Sequence, residues 1–295
     1  MSDEQLRDRR VATLADPQLR DYKVVGGLDT FANRSSWPNF FSKLVARLQW
    51  SPEAIDLTPD AREWPRLPDE RRRRLKTLLA GFRVGDDLVS EHIAPFADAA
   101  RHGTLVSQES LMAWVFFLQR RDEQRHARLF DRIADEVLGL GATPAERRAA
   151  ARTEAPPAML ELFEERLPAM AAEIAAGRKG LSEGVSLYHM LLEGVVFDAG
   201  QHTLLEDLAD GALPGVYEGV RRVELDERWH IGFGLRCLIE TQPSREQLED
   251  MLARAEDAAE AWGDAVPAAM RRECAQKVAH RLHVSGLIEA SAAAA

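Results

Sequence analysis

The chain has little of what marks a secreted, membrane-spanning or nucleic-acid-binding protein. Its 295 residues include only two cysteines, Cys237 and Cys274, which make no disulfide framework and suit a reducing cytoplasm. The longest apolar run, 111–118, is far too short to span a membrane, and the charged segment 1–10 lacks the apolar core of a signal peptide. A net charge of -10 argues against a nucleic-acid-binding surface. We therefore expect a cytoplasmic protein with no transmembrane segment and no nucleic-acid partner.

Strand signals are also nearly absent, and apolar residues recur at helical spacing along most of the chain. Hydrophobic residues make up 45% of the sequence, enough for a sizeable core. We predict an all-α protein with one domain over 1–295, an irregular leader over 1–36 and a flexible tail over 285–295. Pro-containing connections are predicted at 51–68 and 142–157. The helices are predicted at about 38–49, 68–100, 105–138, 157–177, 182–209, 216–240, 244–263 and 266–284.

Two Glu-x-x-His pairs, Glu123/His126 and Glu227/His230, lie within the apolar stripes of two predicted helices. A spacing of three residues puts the carboxylate and the imidazole on one helix face. The alternative is a pair of surface ion pairs, but an acid in the middle of such a stripe would then be buried without a partner. Because carboxylates are rarely buried unless they are paired or bind a metal, we interpret both pairs as metal ligands.

The helix before the first pair offers Asp86, Asp87 and Glu91 as acidic ligands. Its apolar face runs at helical spacing from Leu75 to Phe96, and Asp86 is the only charge on that face. Asp87 and Glu91 fall off the face, where an acid is most often solvated. The pattern therefore favours Asp86.

The helix before the second pair offers Glu193, which is flanked by apolar residues on both sides. Glu183 and Glu206 lie near polar helix ends, where we expect them to be exposed. His189 and His202 are interpreted as structural histidines, although His189 shares the Glu193 face and remains a reserve candidate for a ligand.

Four carboxylates neutralise the four positive charges of two divalent metals, which makes a buried cluster feasible. Oxygen-rich ligation with one histidine per metal suits iron or manganese, and the absence of thiolates argues against structural zinc. The pattern predicts a ferritin-like four-helix bundle core with additional helices around a buried dinuclear metal site. The predicted ligands are Asp86, Glu123, His126, Glu193, Glu227 and His230.

These ligand residues resemble those of the ribonucleotide reductase small-subunit superfamily. Within it, the chain is more similar to the branch of R2-like ligand-binding oxidases, over roughly residues 48–240. Asp86 departs from that branch, which usually has Glu there. Three segments carry the resemblance: Trp50–Trp64, Asp86–Phe96 and Tyr188–Gly194.

The resemblance implies an oxidoreductase, a dinuclear metal oxidase that activates dioxygen with a manganese/iron cofactor or, alternatively, two irons. It also implies a long-chain fatty-acid-like ligand, a homodimer and an ether cross-link between Val89 and Tyr188. Asp226 matches an acid that orients His126, with Trp50 beyond it. The physiological substrate and the electron donor are left open.

Two other functions are considered for the chain. The first is the radical-generating small subunit of a ribonucleotide reductase, which usually has a tyrosine one turn beyond the first histidine and another in its C-terminal tail. Here Phe130 stands at the first position, and the last tyrosine is Tyr217. The second is a non-catalytic ferritin-like metal-binding protein.

Overall fold

The computed structural model of the protein describes residues 37–101 and 109–289. The predicted leader over 1–36, the start of the 105–138 helix and residues 290–295 of the predicted tail lie outside the described residues. The described part is helical, with no strand in either range. Short 3₁₀ turns occur at Pro52–Ala54, Trp64–Arg66, Leu208–Asp210 and Glu260–Ala265.

The helices are numbered in chain order, and three of them include a π-helical segment. They are α1 (Trp37–Arg47), α2 (Thr58–Glu63), α3 (Asp69–His92), α4 (Ala94–Arg101), α5 (Glu109–Arg132, then π-helical Ile133–Val137), α6 (Pro144–Glu154), α7 (Pro157–Leu160, π-helical Glu161–Arg166, Leu167–Ala175), α8 (Leu181–Val185, π-helical Ser186–Phe197, Asp198–Asp207), α9 (Pro214–Thr241), α10 (Arg245–Ala259) and α11 (Ala268–Val284).

Helices α3, α5, α8 and α9 form a four-helix bundle. α3 packs on α5, α8 packs on α9, and further contacts join α5 to α9 and α3 to α8. Helix α1 covers α5, α6 covers α3, and α10 and α11 cover α8. The predicted all-α bundle with additional helices is confirmed. None of the helices in the described ranges has the length and apolarity needed to cross a membrane.

Three local predictions are wrong. The helix predicted over 68–100 is interrupted at Ile93, two residues before Pro95, whose nitrogen carries no hydrogen to donate. The connection predicted at 142–157 contains α6, whose start has a capping box between Thr143 and Glu146. The connection at 51–68 contains the short helix α2.

The π-helical segment of α8 is twelve residues long, whereas most π-helical segments are single turns. Its hydrogen bonds join residues five apart, so Tyr188 and Glu193 project from the same side of the helix. Helix α9 approaches this segment closely at Gly234, where a Cβ atom would lie 2.3 Å from the Cβ of His189. The absence of a side chain at Gly234 therefore lets α8 and α9 close around the bundle centre.

Candidate metal centre

The six predicted ligands meet at the centre of the bundle, where each is almost completely buried. Their ligand atoms fall into two groups, and within each group all atoms lie within 4.8 Å of one another. The first group contains Asp86 and His126, the second contains Glu193 and His230, and both contain Glu123 and Glu227. The geometry is that of two adjacent positions that share two carboxylates.

Each bundle helix supplies part of this cluster: α3 carries Asp86, α8 carries Glu193, and α5 and α9 each carry one Glu-x-x-His pair. Nδ1 of His230 lies 3.1 Å from an oxygen of Glu123 and 3.1 Å from one of Glu193. Nδ1 of His126 lies 3.5 Å from oxygens of Glu123 and Glu227. Both imidazoles thus present the same ring nitrogen to the shared carboxylates.

Several buried ligand atoms have no hydrogen-bond partner among the described residues. They include both carboxylate oxygens of Asp86, one oxygen each of Glu123, Glu193 and Glu227, and Nδ1 of His126. Because buried polar atoms are normally partnered, these atoms fit a centre that binds cations. The donor set has no sulfur and one imidazole per position, which suits iron or manganese.

The pKa values of the buried carboxylates also indicate a centre that binds cations. Burial raises the pKa of Asp86 well above its ordinary value, and burial together with the charge of Glu227 raises the pKa of Glu193 to about 8. Asp86 and Glu193 therefore resist ionisation unless positive charge is supplied, whereas, despite burial, the charge of His230 and the hydrogen bonds of His126 and His230 hold the pKa of Glu123 below its ordinary value. Two divalent cations supply as much charge as the four carboxylates carry.

Asp226 and Trp50 lie behind His126. Nε2 of His126 lies 3.1 Å from Oδ2 of Asp226, and the indole nitrogen of Trp50 donates a 2.8 Å hydrogen bond to the same oxygen. Burial lowers the pKa of His126, but hydrogen bonds to Asp226 and Glu123 outweigh burial and raise the pKa above its ordinary value. An acceptor at Nε2 fixes the tautomer that leaves Nδ1 free to bind a metal.

The sequence reasoning missed a similar arrangement behind His230. Oδ2 of Asp122 lies 3.9 Å from Nε2 of His230 and accepts a 3.3 Å hydrogen bond from the indole nitrogen of Trp229. Nη2 of Arg125 lies 2.9 Å from Asp122 and 2.8 Å from Asp226, so one guanidinium joins the two outer acids. The signal was present in the sequence, because an aspartate precedes the glutamate in both Glu-x-x-His pairs.

Tyr188 lies at the edge of the cluster. Its hydroxyl donates a 2.7 Å hydrogen bond to Oε1 of Glu123. Burial, together with the charges of Glu123 and Glu193, raises the pKa of Tyr188 well above its ordinary value, so the phenol keeps its proton. Val89 is buried one turn after Asp86 on α3.

The residues that the sequence analysis set aside lie outside both ligand groups. Asp87 and Glu91 pair with Arg148. Glu183 pairs with Lys179, and Glu206 is exposed.

The two histidines interpreted as structural also lie outside both groups. His202 pairs with Asp198, with 3.0 Å between Nδ1 and the carboxylate. His189 contacts Gln119 instead of the cluster, with 3.1 Å between its Nε2 and the amide oxygen.

A model of the ribonucleotide reductase small-chain family matches residues 31–276. The chain belongs to this family. The match covers more than four-fifths of the sequence, including the whole bundle and all six cluster residues.

Solved structures of R2-like ligand-binding oxidases have the same fold as this member of the ribonucleotide reductase small-chain family. One with an aerobically reconstituted Mn/Fe cofactor is 19% identical, with a TM-score of 0.68, over 87% of this chain and 93% of that one. A glycine-to-leucine variant with an Fe/Fe cofactor is also 19% identical, with a TM-score of 0.68, over 87% and 94% of the two chains. These similarities confirm the ferritin-like fold.

Three pockets, with volumes of about 470, 320 and 90 Å³, lie at the surface of the described part of the protein. None of these three is lined by any of the six cluster residues. The fatty-acid-like ligand implied by the resemblance therefore stays a prediction.

Proposed function

We propose that this protein is a dioxygen-activating oxidase that uses a pair of metal ions, manganese with iron or two irons. The observation that supports the proposal best is the overlap of the two ligand groups through Glu123 and Glu227. The metals would supply the redox chemistry by binding and reducing dioxygen. The buried bundle would hold them in place and keep bulk water away.

Each cluster residue has a distinct role in this proposal. Asp86 and His126 would bind the first metal, Glu193 and His230 the second, and the shared glutamates would bridge the two. Asp226 would orient His126, with Trp50 as the hydrogen-bond donor behind it. Val89 and Tyr188 would be joined by an ether cross-link. A lipid-like ligand, a long-chain fatty acid, would be the substrate class.

The family also contains radical-generating reductase subunits, so this function is the main alternative. Phe130 favours the oxidase. It is buried one turn beyond His126 and its ring stacks on Phe82 with 5.2 Å between centroids. A phenol that would hold a radical is therefore missing from that position.

The function is tested by loading the metal-free protein with iron and manganese under reducing conditions and then adding dioxygen. We expect dioxygen uptake in proportion to the metal pairs bound, because two reduced metals next to each other would supply the electrons.

Mixing this protein with a ribonucleotide reductase large subunit should give no nucleotide reduction. Solvent extraction followed by mass spectrometry should recover a fatty acid from the purified protein.

Each contrary result favours one alternative. Robust nucleotide reduction would assign the protein to the reductase subunits. A protein that binds two metals without consuming dioxygen would be a non-catalytic metal binder. The two free, buried cysteines are consistent with a cytoplasmic location for any of these functions.

We further propose that the protein is a homodimer whose interface includes the outer face of α5. Leu111, Trp114 and Phe117 are exposed there at a spacing of three residues, and the two aromatic rings stack with 5.1 Å between centroids. An exposed apolar stripe of this kind is typical of a protein interface.

Analytical ultracentrifugation should give the mass of two chains for the wild type, and Trp114→Glu should shift it toward one chain. Val284→Glu changes an exposed apolar residue elsewhere and should leave the dimer intact. A wild-type mass of one chain, or a Trp114→Glu dimer as stable as the wild type, would reject this interface.

A further inference from the structure

Gln119 is a buried amide that joins two of the ligand helices. It lies on α5 one turn before Glu123, and its side chain is completely buried. Its Nε2 donates hydrogen bonds to the phenol oxygen of Tyr188 (3.1 Å) and to Oε1 of Glu193 (3.0 Å). Its Oε1 lies 3.1 Å from Nε2 of His189. Both donors and the acceptor of the amide are therefore used.

The neighbours of Gln119 allow only one orientation of its amide. The Glu193 carboxylate, which a bound metal would keep ionised, accepts hydrogen bonds but donates none, and the single hydroxyl proton of Tyr188 goes to Glu123. Both groups therefore need a donor, which is the NH₂ end of the amide. Burial and the nearby His230 lower the pKa of His189 well below its ordinary value, so its ring is neutral. Because the amide presents its oxygen to this ring, Nε2 of His189 carries the proton and donates it to that oxygen.

We propose that Gln119 is a positioning residue for Tyr188 and Glu193, with His189 as its anchor. It directs the phenol O–H of Tyr188 toward Glu123 and holds one oxygen of Glu193. The other oxygen, Oε2, has no hydrogen-bond partner among the described residues and is left to bind a metal. As a consequence, Gln119 controls how efficiently the ether cross-link forms. This consequence rests on the proposed function.

The position of Glu123 gives the phenolic proton a route of departure. When the ether forms, the O–H bond of Tyr188 and the Cβ–H bond of Val89 break, and one C–O bond joins the two residues. The protein loses two electrons and two protons, and one dioxygen takes them up to give the equivalent of hydrogen peroxide. Glu123, 2.7 Å from the phenol oxygen, is the first acceptor for the proton of Tyr188.

The test uses Gln119→Met, which keeps the approximate volume of the side chain and removes its three hydrogen bonds. The matched control is Gln201→Met, which changes another buried glutamine on α8 outside both ligand groups. The first measurement needs no metal. The tyrosine doublet in the ultraviolet resonance Raman spectrum reports the hydrogen bonding of a phenol, and the difference from Tyr188→Phe isolates Tyr188 from Tyr22 and Tyr217.

We expect Gln119→Met to shift the Tyr188 doublet and Gln201→Met to leave it unchanged. In the loaded protein, Gln119→Met should lower metal affinity at the Glu193 position by roughly 10- to 100-fold, as losses of supporting hydrogen bonds do at other metal sites. The cross-linked fraction per metal-loaded chain should also fall, whereas a purely structural role would leave this fraction unchanged.

The failure of this inference differs from a failure of the proposed function. An unchanged doublet in Gln119→Met, or an unchanged cross-linked fraction together with unchanged metal affinity, would overturn the positioning role. A wild-type protein that binds no metal pair would instead overturn the proposed function, and the metal-free spectra would still decide whether Gln119 positions Tyr188.

Discussion

Glu123→Ala should leave the protein unable to bind metal tightly at either position. Glu123 belongs to both ligand groups, so its loss would remove one proposed ligand from each metal and one of the two carboxylates that the positions share. By contrast, His230→Ala removes a ligand from the second group alone and should abolish binding there while weakening it at the other position. Metal analysis of protein loaded under reducing conditions should find two metals per chain in the wild type.

Thermal unfolding provides a second measurement of the same effect. A metal present at a hundred times its Kd stabilises the folded state by about 2.7 kcal/mol, which corresponds to a rise in Tm of roughly 4 °C for a chain of this size. The wild type should show this rise on loading, and Glu123→Ala should not. The quantity to compare is the rise in Tm on loading, because Glu123→Ala also removes the acceptor of the Tyr188 hydrogen bond and lowers the stability of the metal-free protein.

The control for Glu123→Ala is Glu91→Ala. Glu91 is an exposed acid on α3 that pairs with Arg148 outside both ligand groups, so its loss should change neither the metal content nor the effect of metal on Tm. If Glu123→Ala retains two metals at wild-type occupancy, the assignment of the shared ligand is wrong. If Glu91→Ala loses metal, the assignment of Asp86 is in error.

The second large effect concerns the cross-link between Val89 and Tyr188. Tryptic digestion of the aerobically reconstituted protein should join the peptides 84–101 and 180–221, with a mass lower than their sum by two hydrogen atoms. Val89 offers a tertiary C–H bond, which is weaker than the other aliphatic C–H bonds of its side chain. Tyr188→Phe removes the oxygen that forms the ether and should abolish the joined species completely.

Tyr217 provides a matched control within the same peptide. Tyr217→Phe removes a phenol that belongs to neither ligand group and should leave the joined peptides unchanged. Separate, unmodified peptides after full metal loading and exposure to air would show that the cross-link does not form. That result would leave the dinuclear centre untouched, because neither Val89 nor Tyr188 is one of its proposed ligands.

Helical periodicity was sufficient to find the residues that meet at the bundle centre. Asp86 was preferred to Asp87 and Glu91 because it is the only charge on an apolar face, and the structure places it opposite Glu123 and Glu227. This inference works because an amphipathic helix turns its apolar face inward, whichever helices it packs against.

Features that depend on distorted helices or on tertiary contacts could not be predicted from helical periodicity. Tyr188 is five residues before Glu193, and an ideal α-helix would project the two in different directions. The π-helical segment that aligns them lies where α8 packs closely against α9 at Gly234, and no local pattern in the sequence points to it. The start of α6 was missed for a different reason, because its capping box was present in the sequence but was interpreted as part of a connection.

The carboxylates shared by the two positions have a consequence for how the centre is assembled. A cation at either position would draw Glu123 and Glu227 into their ligating geometry and neutralise part of their charge, so it would alter the binding free energy of the next cation. The two positions of the proposed centre would therefore be thermodynamically coupled, and the cation at one position would alter the affinity of the other for each metal. Coupling of this kind would allow a protein that needs two different metals to favour the mixed pair over two identical ions.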